Sequence, residues 1–310
     1  LLVRFQRNLI QPGGNAARRQ GGEAARNKRS VEKLLPLAGT GRCMADSLSV
    51  LLTNDDGVDA VGLRALYDAL DQWADVTVVA PADDQSAVGR QLSADAAVRE
   101  HDLGYAIEGT PSDCVVAGLE ALCPDVDAVV AGCNKGANLG AYVLGRSGTV
   151  SAAVEAAFFG VPAIAASLYV PGGGAVPWQE QATDPADFRN ASRATAYLLR
   201  HALDAGVFDR TGYLNINAPI ADPDDTAAPI EITRPSTLYD MTAEHNGEGR
   251  VTLQDRIWER MREGDFPDPE GTDRRAVVEG RVWVSSLTAP QTTEGDEALD
   301  GLADAYPDTV

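Results

Sequence analysis

Lysine is almost absent from this chain of 310 residues: beyond residue 43 the only one is Lys135. Cysteine and histidine are scarce too. Cys43, Cys114, Cys123 and Cys133 show no CxxC spacing, and His101, His201 and His245 form no ligand pair, which argues against a zinc site and against a disulfide framework. Buried free thiols are the expected state. No apolar run reaches the ~18 residues that a membrane span requires, so a soluble, cytoplasmic protein without a membrane partner is expected.

What replaces lysine is acid, distributed very unevenly. Residues 1–43 hold nine Lys or Arg against Glu23 and Glu32, whereas residues 44–310 hold 17 basic against 44 acidic residues. The first segment is rich in Gly, Arg and Gln and lacks a sustained apolar period. It is followed by "MADSLSVLLT" (44–53), which reads like the start of a cytosolic domain. Residues 1–43 are therefore read as a disordered basic tail or as upstream translation with Met44 as initiator. A nucleic-acid arm or a transit peptide is the alternative. The acidic remainder keeps an ordinary apolar pattern, unlike a disordered chain. Dispersed acid with 44% hydrophobic content is the composition of a protein adapted to molar salt, where the short Debye length screens self-repulsion. Thermal stability is expected to rise with KCl concentration; full stability in dilute buffer would contradict this. Such a surface also makes duplex nucleic acid an unsuitable partner.

Short apolar runs alternate with helical patterns. Runs at 49–53, 75–81, 127–132 and 161–168 read as strands, "VGLRALYDAL" (61–70) and "SGTVSAAVEAAFFG" (147–160) as helices. This alternation implies a parallel sheet covered on both faces. "VPGGGAVPWQ" (170–179) marks a long loop, "PADFRNASRATAYLLRHALDAG" (185–206) a helix, and "YLNINAP" (213–219) another strand. From about 221 to 290 the character is strand and turn, with "GRVWVSSL" (280–287) the best strand. The expected organisation is a Rossmann-like catalytic domain at 44–220 and a smaller C-terminal extension at 221–310 that completes the fold and forms an oligomer interface.

In an open parallel sheet, ligands gather where strands end, and the chemistry-bearing loops stand at such ends. "LLTNDDG" (51–57) runs a strand into Asp55 and Asp56, adjacent like charges that together neutralise a divalent cation. Taken alone, the pair reads better as a turn with a helix N-cap, a reading that loses ground only beside the other loops. Ser86 in "APADDQSAVG" (80–89) and Asn134 in "GCNKGANLG" (132–140) offer neutral oxygens of the kind Mg²⁺ accepts. In "GRSGTVSAA" (145–153), Ser147, Gly148 and Thr149 enter a helix, where backbone N–H groups and hydroxyls suit a phosphate. The segment is neither a P-loop nor a GxSxG elbow. Lys135, beside Asn134, is open to two readings, a phosphate contact or a solvated loop residue.

These stretches, with "GTPSDCV" (109–115), "LNINAP" (214–219) and "EGTDRRAVVEGRVWVSSL" (270–287), occur in the order and approximate spacing of the survival protein SurE family, which the chain resembles over residues 48–290. The resemblance implies a Rossmann-like three-layer α/β/α sandwich whose C-terminal extension or swap arm builds homodimers or homotetramers. It implies Asp55, Asp56, Ser86 and Asn134 as ligands of one divalent metal ion per subunit, Mg²⁺ or Mn²⁺. Asn138, Ser147, Gly148 and Thr149 match phosphate-binding positions. It implies hydrolysis of nucleoside 5′-monophosphates, with 3′-monophosphates as a further substrate class. Departures are Arg146, where many members carry Tyr, and Asp83, Asp84 and Gln85, where many carry a basic residue; these put base preference in question.

The expected activity is that of a 5′-nucleotidase, a phosphoric monoester hydrolase using a metal-activated water, with Asp55 or Asp56 taking the proton. A covalent aspartyl-phosphate is disfavoured, because enzymes that form one carry DxD after the strand and position 57 is glycine. A non-catalytic nucleotide-binding stress sensor is the alternative; it would need the phosphate loop but not the paired carboxylates.

Overall fold

The computed structural model describes residues 47–171, 177–221, 226–247, 249–265 and 267–290. The tail read at 1–43, and the part of the 221–310 extension beyond residue 290, lie outside them. Strand β1 (Leu48–Thr53) shows why the first apolar run is unbroken. Val50 and Leu52 enter one apolar layer and Leu51 the other, all without exposure. A strand buried on both faces needs no polar alternation, and each such side chain contributes ~1.5–3 kcal/mol through burial.

Beside β1 lie β2 (Ala74–Pro81) and β5 (Ala128–Lys135), both parallel to it, and β6 (Ala163–Tyr169) and β7 (Tyr213–Pro219) continue the parallel series. One edge is finished by the antiparallel pair β3 (Val98–His101) and β4 (Gly104–Ile107), the other by β8 (Ile230–Ile232) and β11 (Val282–Leu287). The nine-stranded order is β3-β4-β2-β1-β5-β6-β7-β11-β8. The chain leaves β1 for one side and returns to β5 on the other, so the crevice past the ends of β1 and β5 is the switch point where such sheets bind ligands.

Helices α1 (Val61–Leu70) and α5 (Arg189–Ala202) pack on the Val50/Leu52 face through Leu63, Leu66 and Leu199. On the Leu51 face, α2 (Pro111–Ala117) and α4 (Gly148–Phe158) contribute Cys114, Val115 and Val150. A short helix, α3 (Ala141–Leu144), precedes α4. This is the three-layer α/β/α sandwich expected from the sequence.

The C-terminal region differs from its reading as strand and turn. Among its described residues are two helices, α6 (Ile257–Glu263) and α7 (Asp273–Val278), each under eight residues and too short for a helical period to stand out. Strands β8 and β11 extend the main sheet, and β9 (Met241–His245) and β10 (Val251–Asp255) form a separate two-stranded ribbon. The helix read at 185–206 begins as a 3-10 turn over Pro185–Phe188, capped by the Asp184 carboxylate, which accepts from the Ala186 N–H at 2.8 Å.

Candidate active site

β1 delivers Asn54, Asp55 and Asp56 to the switch point. The Asn54 amide donates to the Gly57 carbonyl at 2.7 Å, closing a tight turn that sets both aspartates at the strand end. Asp55 is 4% exposed, and its Oδ1 accepts the Thr149 hydroxyl hydrogen and the Thr149 backbone N–H also reaches the carboxylate. The Asp55 side chain therefore rests on the first turn of α4, where the helix dipole favours negative charge. Gly148 permits this approach: a Cβ there would stand 2.8 Å from Asp55 Cβ and 2.9 Å from its Oδ2.

Asp56 is held differently. Its Oδ2 accepts the Lys135 backbone N–H at 2.8 Å, tying the end of β1 to the end of β5. Burial, then the neighbouring Asp55 charge, push the Asp56 carboxyl up to about 7. Asp55 is also raised, because burial outweighs its bonds to Thr149. Asp84 adds negative potential to both. Lys135 offsets part of this at Asp56, but burial and the neighbouring carboxylates outweigh it.

The loop after β2 closes over this pair. Gln85 N–H donates to the Asp55 carbonyl at 2.7 Å, and Gly89 N–H donates to the Arg146 carbonyl at 3.2 Å. Ser86 is exposed, and its hydroxyl donates to Asp84 Oδ1 at 2.6 Å, which leaves the oxygen lone pairs for ligation. The Asn134 amide nitrogen donates to the Gly136 carbonyl, so the side-chain oxygen is what Asn134 can offer a cation. Ser147 caps α4, its hydroxyl accepting the Val150 N–H at 3.1 Å. Asn138 sits in a neighbouring knot. Its amide donates to Ser167 Oγ at 2.9 Å, its N–H donates to Asn217 Oδ1 at 2.7 Å, and its carbonyl accepts from Asn215 Nδ2 at 3.1 Å.

Do these residues suit a divalent cation? Among the described residues, no group of three or more His, Cys, Asp or Glu side chains is placed to hold a metal. The candidate donors, two carboxylates with Ser and Asn oxygens, make a hard all-oxygen set of the type Mg²⁺ and Mn²⁺ take rather than zinc. Next in the chain, the buried Asn54 Oδ1 has no hydrogen-bond partner among the described residues, an unsatisfied oxygen at a place where compensation is missing. Raised carboxyls and an orphan oxygen together fit a cation.

The family model for survival protein SurE matches residues 50–240. The chain belongs to the SurE family. Among its relatives, the 5′-nucleotidase SurE of Haloquadratum walsbyi is 68% identical over 86% of this chain and 100% of that protein. The 5′-nucleotidase SurE of Natronomonas pharaonis is 66% identical over 84% of this chain and 100% of that protein. Both sources are halophilic archaea, in keeping with the acidic composition. The crystal structure of the SurE protein from Aquifex aeolicus superimposes with a TM-score of 0.65 at 28% identity, covering 84% of this chain and 99% of that one.

Within this SurE-family site, two contributions were not singled out from the sequence. The first is the Lys135 backbone N–H; Lys135 Nζ instead donates to the Gln179 carbonyl at 3.1 Å and lies 4.9 Å from the Trp178 ring centre. A backbone donor leaves no mark on residue type. The second is the pair Asn215 and Asn217, buried on β7 and gripping Asn138. Their signal was the two-residue spacing in "LNINAP", which puts both on one face of a strand.

Thr149→Val keeps shape but removes a hydrogen bond to Asp55. Divalent-metal affinity is expected to fall on the order of 10-fold or more, as for other groups that orient a ligand, measured by titration calorimetry. Unchanged affinity would show that Thr149 does not orient Asp55.

Proposed function

We propose that this chain is a metal-dependent 5′-nucleotidase that hydrolyses nucleoside 5′-monophosphates to nucleoside and phosphate. The observation that carries the reading is the Asp55–Asp56 pair, one buried and one half-buried, both carboxyls raised by desolvation at the switch point of a sheet whose relatives bear the name 5′-nucleotidase. Asp55, Asp56, Ser86 and Asn134 would hold one Mg²⁺ or Mn²⁺ ion per subunit. When bound, the ion neutralises the pair, polarises a phosphoryl oxygen and lowers the pKa of a coordinated water.

The chain's own residues do the rest. Asp55, fixed by Thr149 against α4, sets the geometry of the ligand set. Asp56, held by the Lys135 backbone N–H, would take the proton of the attacking water. Ser147, Gly148 and Thr149, at the positive end of α4, would face the phosphate and stabilise charge that grows on its non-bridging oxygens. Asn138, locked by Asn217 and Ser167, would donate to the same group. Hydrolysis of 3′-monophosphates is a further activity of the same centre. Oligomerisation is proposed for the 221–310 region, where Val251 and Leu253 of the β9–β10 ribbon are exposed. The tail at 1–43 is proposed to lie outside the catalytic domain.

A stress sensor without catalysis would need the phosphate loop alone; two adjacent aspartates beside an anion site would only repel its ligand. The test is phosphate release from AMP and GMP in molar KCl, with Mg²⁺ or Mn²⁺ and with EDTA. Release that needs the metal is expected; release unaffected by EDTA, or none from any nucleotide, would overturn the proposal.

A further inference from the structure

One strand residue past Asn134, the chain opens into a cleft that the chemistry above does not use. It has a volume of about 240 Å³ and is lined by Gly136 after β5, Tyr169 and Val170 at the end of β6, Trp178, and Trp258 and Arg262 of α6. That is too small for a whole nucleotide and of a size for one planar ring system. The Gly136 carbonyl on its wall accepts from the Asn134 amide, so the cleft lies beside one of the proposed metal ligands.

Three of its side chains are aromatic. Trp178 is 42% exposed. Trp258 and Tyr169 are half-buried, packed against the small cluster around Leu139 and Trp283. Gly136, at φ +134°, contributes no side chain; a Cβ there would stand 3.8 Å from Trp178 Cζ2, so glycine keeps the floor beside the indole open. Lys135 Nζ sits 4.9 Å from the Trp178 ring centre, holding the loop that carries the ring, and the exposed Arg262 guanidinium lies close enough to Tyr169 to act on its hydroxyl.

The geometry points to this cleft as the nucleobase subsite, with Trp178 and Trp258 as the stacking, specificity-determining residues for the substrate whose phosphate is held at Asp55, Asp56 and the start of α4. The inference rests on the nucleotidase reading, because it takes the phosphate position from it. Stacking on aromatic faces accepts every base, since each has a π-face. Arg262 supplies N–H donors for the acceptor atoms on a base edge. The subsite therefore distinguishes nucleotides from base-free phosphate esters more strongly than one base from another.

The test compares AMP and GMP with ribose 5-phosphate, which carries the sugar and phosphate but no base. Trp178→Ala and Trp258→Ala are each expected to raise KM for AMP and GMP by about 10-fold, the size that loss of one stacked ring gives. The kcat/KM for ribose 5-phosphate should stay within about twofold. An equal loss for all three substrates, or unchanged KM for the nucleotides, would overturn the subsite. Trp178 lies outside the buried core, so its variant carries the test if Trp258→Ala does not fold. Indole fluorescence separates this inference from the activity itself. AMP should quench the wild-type protein, ribose 5-phosphate should not, and Trp178→Ala should reduce the quenching. A wild-type protein that shows this pattern but releases no phosphate sinks the nucleotidase reading and keeps the subsite; release without base-dependent quenching does the reverse.

Discussion

Asp56→Asn is expected to reduce phosphate release by on the order of 10³-fold or more while leaving the metal-free protein at least as stable as wild type above pH 7. The loss would follow from removing one of the two proposed carboxylate ligands of an ion whose electrostatic contribution to phosphoryl chemistry is several kcal/mol. The stability follows from linkage. The Asp56 carboxyl is raised from 3.8 to about 7 by burial and by Asp55. The folded state thus holds a proton between those limits that the unfolded chain has released. Stability of the metal-free protein falls as pH rises from about 4 to about 7, and the full penalty, on the order of a few kcal/mol, stands above that. Asparagine abolishes the charge and with it the penalty. Melting curves between pH 5 and 8 in molar KCl, with EDTA, should show the wild type losing ground to the variant as pH rises, and Mn²⁺ restoring the wild type alone. A variant that melts well below wild type at pH 8 would mean that Asp56 is a structural residue.

Gly148→Ala is the second large effect. The added methyl would meet Asp55 Cβ at 2.8 Å and Oδ2 at 2.9 Å, closer than unstrained contacts allow. Helix α4 cannot retreat, because Val150 and Ala152 on its inner face are buried against the sheet. Asp55 must therefore swing away from Thr149. Gly148 is the first residue of α4, so alanine gains little of its helix-interior advantage there; the turning of the Asp55 side chain relieves the strain, and the melting temperature should fall by only a few degrees. Activity should drop by on the order of 10²-fold, as for a misplacement of about 1 Å in a catalytic constellation. Phosphate-release kinetics and circular dichroism on the same preparation check both halves. Full activity would show that the Asp55 contact with α4 is not needed.

Much of this was legible because parallel sheets write themselves plainly. β1, buried on both faces, reads as an apolar run, and its C-terminal end is where ligands collect. That led directly to Asp55 and Asp56. Ser147, Gly148 and Thr149 stood out as a cap before a helix, but the sequence assigned Thr149 to phosphate without Asp55, and the structure adds its bond to that carboxylate across 94 residues. Partners so distant, and backbone donors such as Lys135 N–H, leave no local pattern. The C-terminal helices were missed because six or seven residues do not complete a visible period, and what holds α7 is tertiary. The Asp273 carboxylate accepts from the N–H groups of Gly140 and Ser236, and the buried Arg274 pairs with Asp268 at 3.4 Å. The cleft around Trp178 and Trp258 joins residues 80 positions apart, and nothing in either neighbourhood announces the other.

The central claim is that Asp55 and Asp56 stand together to hold a divalent cation. Mn²⁺ binding to the purified protein in molar KCl, followed by titration calorimetry, tests it most directly. One ion per chain is predicted for the wild type, with binding lost in Asp56→Asn; an equal stoichiometry and affinity in both proteins, or no binding to either, would contradict it.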